Sequence, residues 1–353
     1  MIKVLVVDDS PLVRKVISKM LQKDPLIEVV DMAKNGEEAL SKIATLKPDV
    51  ITLDVDMPKL TGLDVLKKMK EDRAFANVEV IVVSYLTTEG AETTLKAIEL
   101  GAFDYVPKPD GRSTSFELEK VEEELIKKVK AAYIYKGSRK IRHKKSLLVV
   151  ERAKSIDRSK LKLEKAVVIG ISTGGPATIK DVVPHLPVGN YALFIVQHIP
   201  EAFSSLYARR LNEISKLDIT EAKTGMIVEP GRGYVAKGGH QMLIEEKDGN
   251  TLIKITKHPK TIFVPNINLT MESVLSVFGK NTIGVVMTGL GDDGAEALRK
   301  IREKGGFTLA ESEETAVAYS MPREAVKKGG AIIALPSYEI PKKIIEALDR
   351  RFV

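Results

Sequence analysis

Residues 166–176 read AVVIGISTGGP, six apolar or glycine positions followed by Ser172, Thr173, two glycines and a proline. A Val/Ile-rich run closed by glycine and proline predicts a buried strand. The next segment, PATIKDVVPHL (176–186), predicts a helix, so strand, turn and helix form one unit of a parallel α/β sheet. Ser172 then stands at the strand's carboxyl end and the helix N-terminus, where Gly174 and Gly175 permit close backbone approach. Exposed amides and the positive helix end favour an anionic oxygen there, of the kind an acyl-transfer intermediate develops. A phosphate-binding glycine turn is the rival reading, but the stretch lacks the lysine of a P-loop and the spacing of a dinucleotide fold.

Serine is a poor nucleophile without a base, and the base needs a group to orient it. YALFIVQH (191–198) is an apolar strand that ends in His198, and TIGVVMTG (282–289) is another, followed by LGDDG with Asp292 and Asp293. If the three strands run parallel, all of these groups share one edge. His198 alone directly ends a long apolar strand; His143 lies in a basic stretch, and His185, His240 and His258 fall at helix ends or turns. Asp292 and Asp293 remain equivalent at this level.

The N-terminal third alternates in the same way. IKVLVV (2–7), EVVDMA (28–33), DVITL (49–53), VEVIVV (78–83) and FDYVP (103–107) alternate with amphipathic stretches, which predicts a parallel sheet covered by helices. The first helix has Ser10 as N-cap and Pro11 in its first turn, with Val13, Ile17, Met20 and Leu21 on one face. Asp8 and Asp9 follow the first strand, Asp54 the third, Ser84 the fourth and Lys108 the fifth. Three carboxylates at one edge repel unless a divalent cation or the lysine offsets them. A magnesium site follows, with Asp54 as a candidate nucleophile toward a phosphoryl donor.

With 353 residues and no cysteine, the chain predicts two domains of ordinary size. The composition excludes disulfide scaffolds, thiol nucleophiles and cysteine-ligated zinc, and points to a reducing cytoplasm. The opening MIKVLVVDDS lacks the regions of a signal peptide. Net charge is +7, yet residues 134–165 hold twelve Lys or Arg against three acids, a local +9 that leaves −2 for everything else. Near-neutral domains at 1–133 and 166–353 joined by an extended basic linker at 134–165 are expected, which argues against nucleic acid as the partner.

VDDS, LDVDMP, VVSY and DYVPKP, at their strand ends, closely resemble the receiver domain of two-component response regulators over the whole first domain. The resemblance implies a flavodoxin-like fold, Asp54 as phosphoacceptor, and magnesium held by Asp9, Asp54 and the Asp56 carbonyl. Asp8 then assists through water and Lys108 contacts the phosphoryl group. Ser84 and Tyr105 match a switch pair that moves inward on phosphorylation, and the bond before Pro109 is expected to be cis. Tyr85 stands where smaller residues are common.

ISTGGP, VQHIP, MTGLGDDG and SMPREAV (320–326) closely resemble the catalytic domain of the chemotaxis receptor methylesterases, the CheB family. With the receiver, the resemblance spans essentially the full chain. It implies a C-terminal doubly wound parallel-sheet serine hydrolase domain, with Ser172 as nucleophile, His198 as base then acid, and Asp293 as the orienting carboxylate. Thr173 is expected to support the histidine. The Leu290 backbone amide, where the family commonly has methionine, is expected in the oxyanion hole. Asn268, in PNINLT (265–270), replaces a frequent acid, a departure that bears on the substrate loop. The implied function is phosphorylation-activated hydrolysis of glutamate methyl esters on chemotaxis receptors, with glutamine deamidation beside it and no metal in the ester step. The histidine kinase CheA is the implied phosphodonor, nothing in the reading inserts into a membrane, and the resting receiver is expected to obstruct the hydrolase. A receiver-controlled DNA-binding regulator would instead need a helix-turn-helix in the second half, and a non-catalytic adaptor would have no use for Ser172, His198 and Asp293 together.

Overall fold

The computed structural model describes residues 1–85, 87–109, 115–138 and 160–349; most of the basic linker, with His143, lies outside them. The chain divides into two compact units, Met1–Ile141 and Arg142–Val353. Among the described residues no helix is long and apolar enough to cross a membrane.

In the first unit β1 (Ile2–Val7), β2 (Ile27–Ala33), β3 (Val50–Asp54), β4 (Glu79–Ser84) and β5 (Asp104–Pro107) alternate with α1 (Pro11–Leu21), α2 (Gly36–Leu46), α3 (Gly62–Glu71), α4 (Thr88–Leu100) and α5 (Ser115–Ser138). The sheet order is β2-β1-β3-β4-β5, with every pairing parallel. β3 and β4 are buried at every position, so their centres are nearly continuous apolar runs. β2 lies at the edge and is half exposed, hence its weaker pattern. Ser10 caps α1 by accepting from the Val13 amide, and Pro11 opens it. α5 continues to Ser138, so residues 134–138, expected in the linker, are helical. Lys136 pairs with Asp49 at 2.6 Å and Lys130 pairs with Asp24, which fastens this basic end to its own unit.

The second unit contains β6 (Lys165–Ile171), α6 (Gly175–Thr178), β7 (Tyr191–Gln197), α7 (Glu201–Ile214), β8 (Asp218–Glu221), β9 (Arg232–Val235), β10 (Gln241–Lys247), β11 (Asn250–Thr256), α8 (Ile267–Phe278), β12 (Thr282–Val286), α9 (Ala295–Glu303), β13 (Phe307–Glu311), α10 (Ser320–Lys327), β14 (Ile333–Leu335) and α11 (Ile340–Asp349). Seven strands run in the order β14-β13-β12-β6-β7-β9-β8, all pairings parallel. β10 and β11 form a separate antiparallel hairpin. From β6 the chain builds outward through β7 on one side and later through β12 on the other. An open sheet binds its ligands at the carboxyl ends of the strands where the order reverses in this way.

The helix expected after Ser172 is only one α turn, followed by 3-10 turns at Ile179–Asp181 and Val183–His185. Pro184 has no N–H to give and its ring would meet the Lys180 carbonyl, so an α-helix cannot pass it. A single turn carries little macrodipole, and electrostatic help for Ser172 has to come from individual N–H groups.

Candidate active site and phosphoacceptor site

β6 and β7 pair with Ile171 opposite Gln197, so Ser172 and His198 leave adjacent strands side by side. The Ser172 amide donates to the Thr288 carbonyl (2.9 Å) and the His198 amide to the Ile171 carbonyl (3.1 Å), locking both residues to the strand ends. His198 Nδ1 lies 3.1 Å from Ser172 Oγ, and its Nε2 lies 2.9 Å from Asp293 Oδ2. The carboxylate selects the tautomer with its proton on Nε2, which leaves the Nδ1 lone pair to accept the serine hydroxyl. Asp292 is exposed and pairs with Lys328 at 3.0 Å, so the two aspartates that the sequence left equivalent are distinguished by geometry.

Asp293 is buried, and four donors meet its two oxygens. Oδ2 accepts from His198 and from the Ile267 amide (2.8 Å); Oδ1 accepts from the Asn268 amide (3.0 Å) and the Asn268 side-chain Nδ2 (2.8 Å). Burial alone pushes the carboxyl up, but the bonds from His198, Ile267 and Asn268 outweigh it and hold Asp293 below the usual carboxylate range. Asn268 therefore belongs to the support of the relay, whereas its sequence suggested a substrate loop. Its Oδ1 accepts from the Ala297 amide at 2.8 Å, so both ends of the amide are used.

Thr173 departs from expectation. Its carbonyl accepts from the Thr288 hydroxyl at 2.8 Å, but its side chain makes no bond to His198 among the described residues. The histidine is steadied instead by Phe263, stacked on it with ring centroids 4.5 Å apart and planes 7° off parallel. Gln197 donates from Nε2 to the Ser172 carbonyl (2.9 Å) and the His198 carbonyl (3.1 Å), bridging the ends of β6 and β7. Neither residue is signalled in the sequence, because both act through contacts formed only on folding. Gly289 is required by close approach: a Cβ there would lie 2.1 Å from Met321 Sδ and 2.7 Å from Ser172 Cβ. The next amide, that of Leu290, makes no hydrogen bond among the described residues. His185 ends a 3-10 turn, and His240 and His258 lie in a turn and a loop; none of them bonds to Ser172, His198 or Asp293 among the described residues.

At the edge of the first unit, carboxylate oxygens of Asp8, Asp9 and Asp54 lie within 4.8 Å of one another. Lys108 Nζ reaches Asp54 Oδ2 at 2.6 Å and Asp8 Oδ2 at 2.9 Å. One ammonium among three carboxylates leaves the cluster short of positive charge. Burial, followed by repulsion from Asp8, pushes Asp54 up to about 6 against the pull of Lys108; burial likewise raises Asp8. Hard oxygen donors with excess negative charge fit magnesium. Asp56 is exposed, and its amide donates to Asp54 Oδ1 at 3.2 Å. Arg14, not foreseen, donates to the Asp8 and Asp9 carbonyls (2.7 and 3.0 Å) and fixes the loop that presents them. The Tyr85 ring lies under Lys108, 5.2 Å from Nζ to the centroid.

One expectation for this edge, the cis bond before Pro109, is corrected. Tyr105 is buried, with Lys128 over its ring at 4.9 Å and bonded to its carbonyl at 2.6 Å. Ser84 makes only long contacts, 3.4 Å, to the Tyr85 and Gly90 carbonyls. Among the described residues the cis bonds precede Pro259 and Pro265, and the bond before Pro109 is trans; the Lys108 amide extends the strand onto the Ser84 carbonyl at 2.8 Å.

The fold and these two edges define a class, a response-regulator-type unit joined to an α/β unit with a Ser-His-Asp arrangement. Family models match on both sides: response regulator receiver domain over residues 4–117 and CheB methylesterase over 167–344. A protein-glutamate methylesterase/protein-glutamine glutaminase of Syntrophomonas wolfei is 44% identical over 99% of this chain and 100% of its own length. One of the same description from Pyrococcus horikoshii is 39% identical over 99% of this chain and 94% of its own. The crystal structure of the Thermotoga maritima CheB methylesterase catalytic domain is 35% identical with TM-score 0.50, covering 52% of this chain and 97% of that one. The chain belongs to the CheB methylesterase family and is a hydrolase that carries a receiver domain.

Proposed function

We propose that residues 166–353 hydrolyse γ-glutamyl methyl esters on chemotaxis receptor helices, and that the receiver, residues 1–133, raises this activity when Asp54 is phosphorylated by CheA. The continuous relay from Ser172 through His198 to Asp293, at 3.1 and 2.9 Å, carries the reading. Ser172 Oγ bonds to the ester carbon as its proton passes to His198 Nδ1, and the Leu290 amide meets the oxyanion. Collapse breaks the bond to methoxide, which takes the proton from His198 and leaves as methanol. Water then gives its proton to the same nitrogen, attacks the acyl-enzyme, and frees the glutamate carboxylate and Ser172. A glutamine side chain in place of the ester releases ammonia by the same steps. Asp293 stays ionised and stabilises the imidazolium.

At the other edge Asp9, Asp54 and the Asp56 carbonyl would hold magnesium, with Asp8 assisting through water. When bound, the ion offsets charge between the Asp54 carboxylate and the phosphoryl donor. Lys108 holds a phosphoryl oxygen, and Ser84 rotates toward the new group. The setting is cytoplasmic sensory adaptation. The deciding experiment is methanol release from methylated receptor membranes, with and without a phosphodonor; no release under either condition refutes the proposal.

A further inference from the structure

The flank of the catalytic histidine holds a feature that the ester chemistry does not use. Phe263 belongs to the segment between β11 and α8, and its neighbour Ile262 is 92% exposed, more than any other large hydrophobic side chain among the described residues. An exposed isoleucine means little in a loose loop, but this loop is fastened. Gln241, fully buried, donates to the Pro259 carbonyl (3.1 Å) and Thr261 Oγ1 (2.9 Å) and accepts from the Asn266 amide (2.8 Å). The Thr261 hydroxyl donates to the Phe263 carbonyl (2.5 Å), and the Gly239 amide to that of Val264 (3.2 Å). Ile262 is thereby held out in water, one residue from the Phe263 ring that stacks on His198.

The same rim is cationic. Lys257 and Lys260 are exposed and form no ion pair among the described residues, though Lys257, after Lys237, is near enough to help lower the Glu201 carboxyl. Lys237 and His240 gather at Glu201, 2.9 and 4.0 Å away, three positions after His198. We propose that Ile262, Lys257 and Lys260 form the docking surface for the substrate's own helix, an acidic amphipathic segment that carries the glutamate ester. Ile262 meets its apolar stripe and the lysines meet carboxylates beside the ester. This rests on the methylesterase reading. Charge complementarity argues for that occupant: each turnover converts a neutral ester to a carboxylate, so a segment with several such glutamates becomes more anionic as it is processed.

The full chain is assayed on p-nitrophenyl acetate and on two helical peptides with one γ-methyl glutamate, flanked by glutamates in one and glutamines in the other. Ile262→Ser is expected to lower kcat/KM about tenfold on both peptides, through KM, and to leave the acetate unchanged. Lys257→Glu with Lys260→Glu is expected to cost about tenfold on the acidic peptide and about twofold or less on the amide peptide. Equal loss on all three substrates, or no loss on either peptide, overturns the docking surface. Wild-type protein that cleaves the acetate but releases no methanol from either peptide overturns the methylesterase reading and this proposal with it.

Discussion

Two sheet edges of the same construction end in opposite electrostatic states. Asp54 and Asp293 are both buried at the carboxyl ends of parallel strands, with 1% and 3% exposure, so burial does not separate them. Asp54 shares one ammonium with Asp8 and is raised to about 6, first by burial and then by that neighbour. Asp293 is alone among four donors and is lowered despite its burial. The balance of donors against charges decides the sign. One edge lacks positive charge and responds to an added cation or phosphoryl group; the other is complete as folded, as suits a catalyst that must be ready at each encounter.

The largest expected effect breaks the complete edge at the proposed nucleophile. Ser172→Ala should reduce methanol release by about 10⁴-fold or more, with thermal unfolding unchanged because the hydroxyl adds little to the core. Substantial retained turnover would remove Ser172 from the role. Asp293→Asn should cost about 10³ to 10⁴ in kcat and leave a measurable residue. Each oxygen of Asp293 accepts from two donors, so either orientation of the new amide turns its NH2 onto a pair of N–H groups. A near-normal rate in this variant would show that orientation does not limit the reaction. Asn268→Asp sharpens the contrast, since it adds a second carboxylate 2.8 Å from Asp293 Oδ1 and makes this edge resemble the other. Repulsion raises the apparent pKa of the pair, so the loss, about tenfold, should grow as pH falls. A loss that is constant across a kcat/KM profile would assign Asn268 a packing role only.

The central strands, Ser172 and His198 were legible because buried parallel strands are nearly continuous apolar runs and their ends are where chemistry sits. The strand-end reading left Asp292 and Asp293 equivalent, and only the fold separates them. The partners were not legible. Asn268 meets Asp293, and Gln197 meets Ser172, across 25 residues of chain in each case, and only the register of β6, β7 and β12 brings them together. The departure at Asn268 was visible, but no pattern in one sequence tells that a helix N-terminus will cradle the triad carboxylate. The hairpin carries a local signal: Asp248 and Gly249, at φ 51° and 75° between paired Lys247 and Asn250, form the Asp-Gly turn that favours tight hairpins. Pro184 in PATIKDVVPHL was equally visible, and it bars an α-helix from running through to Leu186.

The smallest expected effect, and the closest test of the comparison, is proton linkage to magnesium at the first edge. An unfolded aspartate titrates near 3.9, whereas Asp54 in the folded unit is raised to about 6. The folded state therefore binds more protons between these values. It gains stability as pH falls through about 6 and carries the cost of an ionised Asp54 at neutral pH. Magnesium takes the ionised form, so it must displace that proton below about 6 but meets a free carboxylate above it. Its apparent affinity for the full chain, measured by calorimetric titration, should be nearly level from pH 7 to 8. Below about 6 it should weaken by up to about tenfold per pH unit. Asp54→Asn should flatten this dependence, leaving the weaker contribution of Asp8, which burial also raises. An affinity independent of pH down to about 4.5 would mean that Asp54 is ionised throughout, and that the two buried aspartates do not differ as their surroundings require.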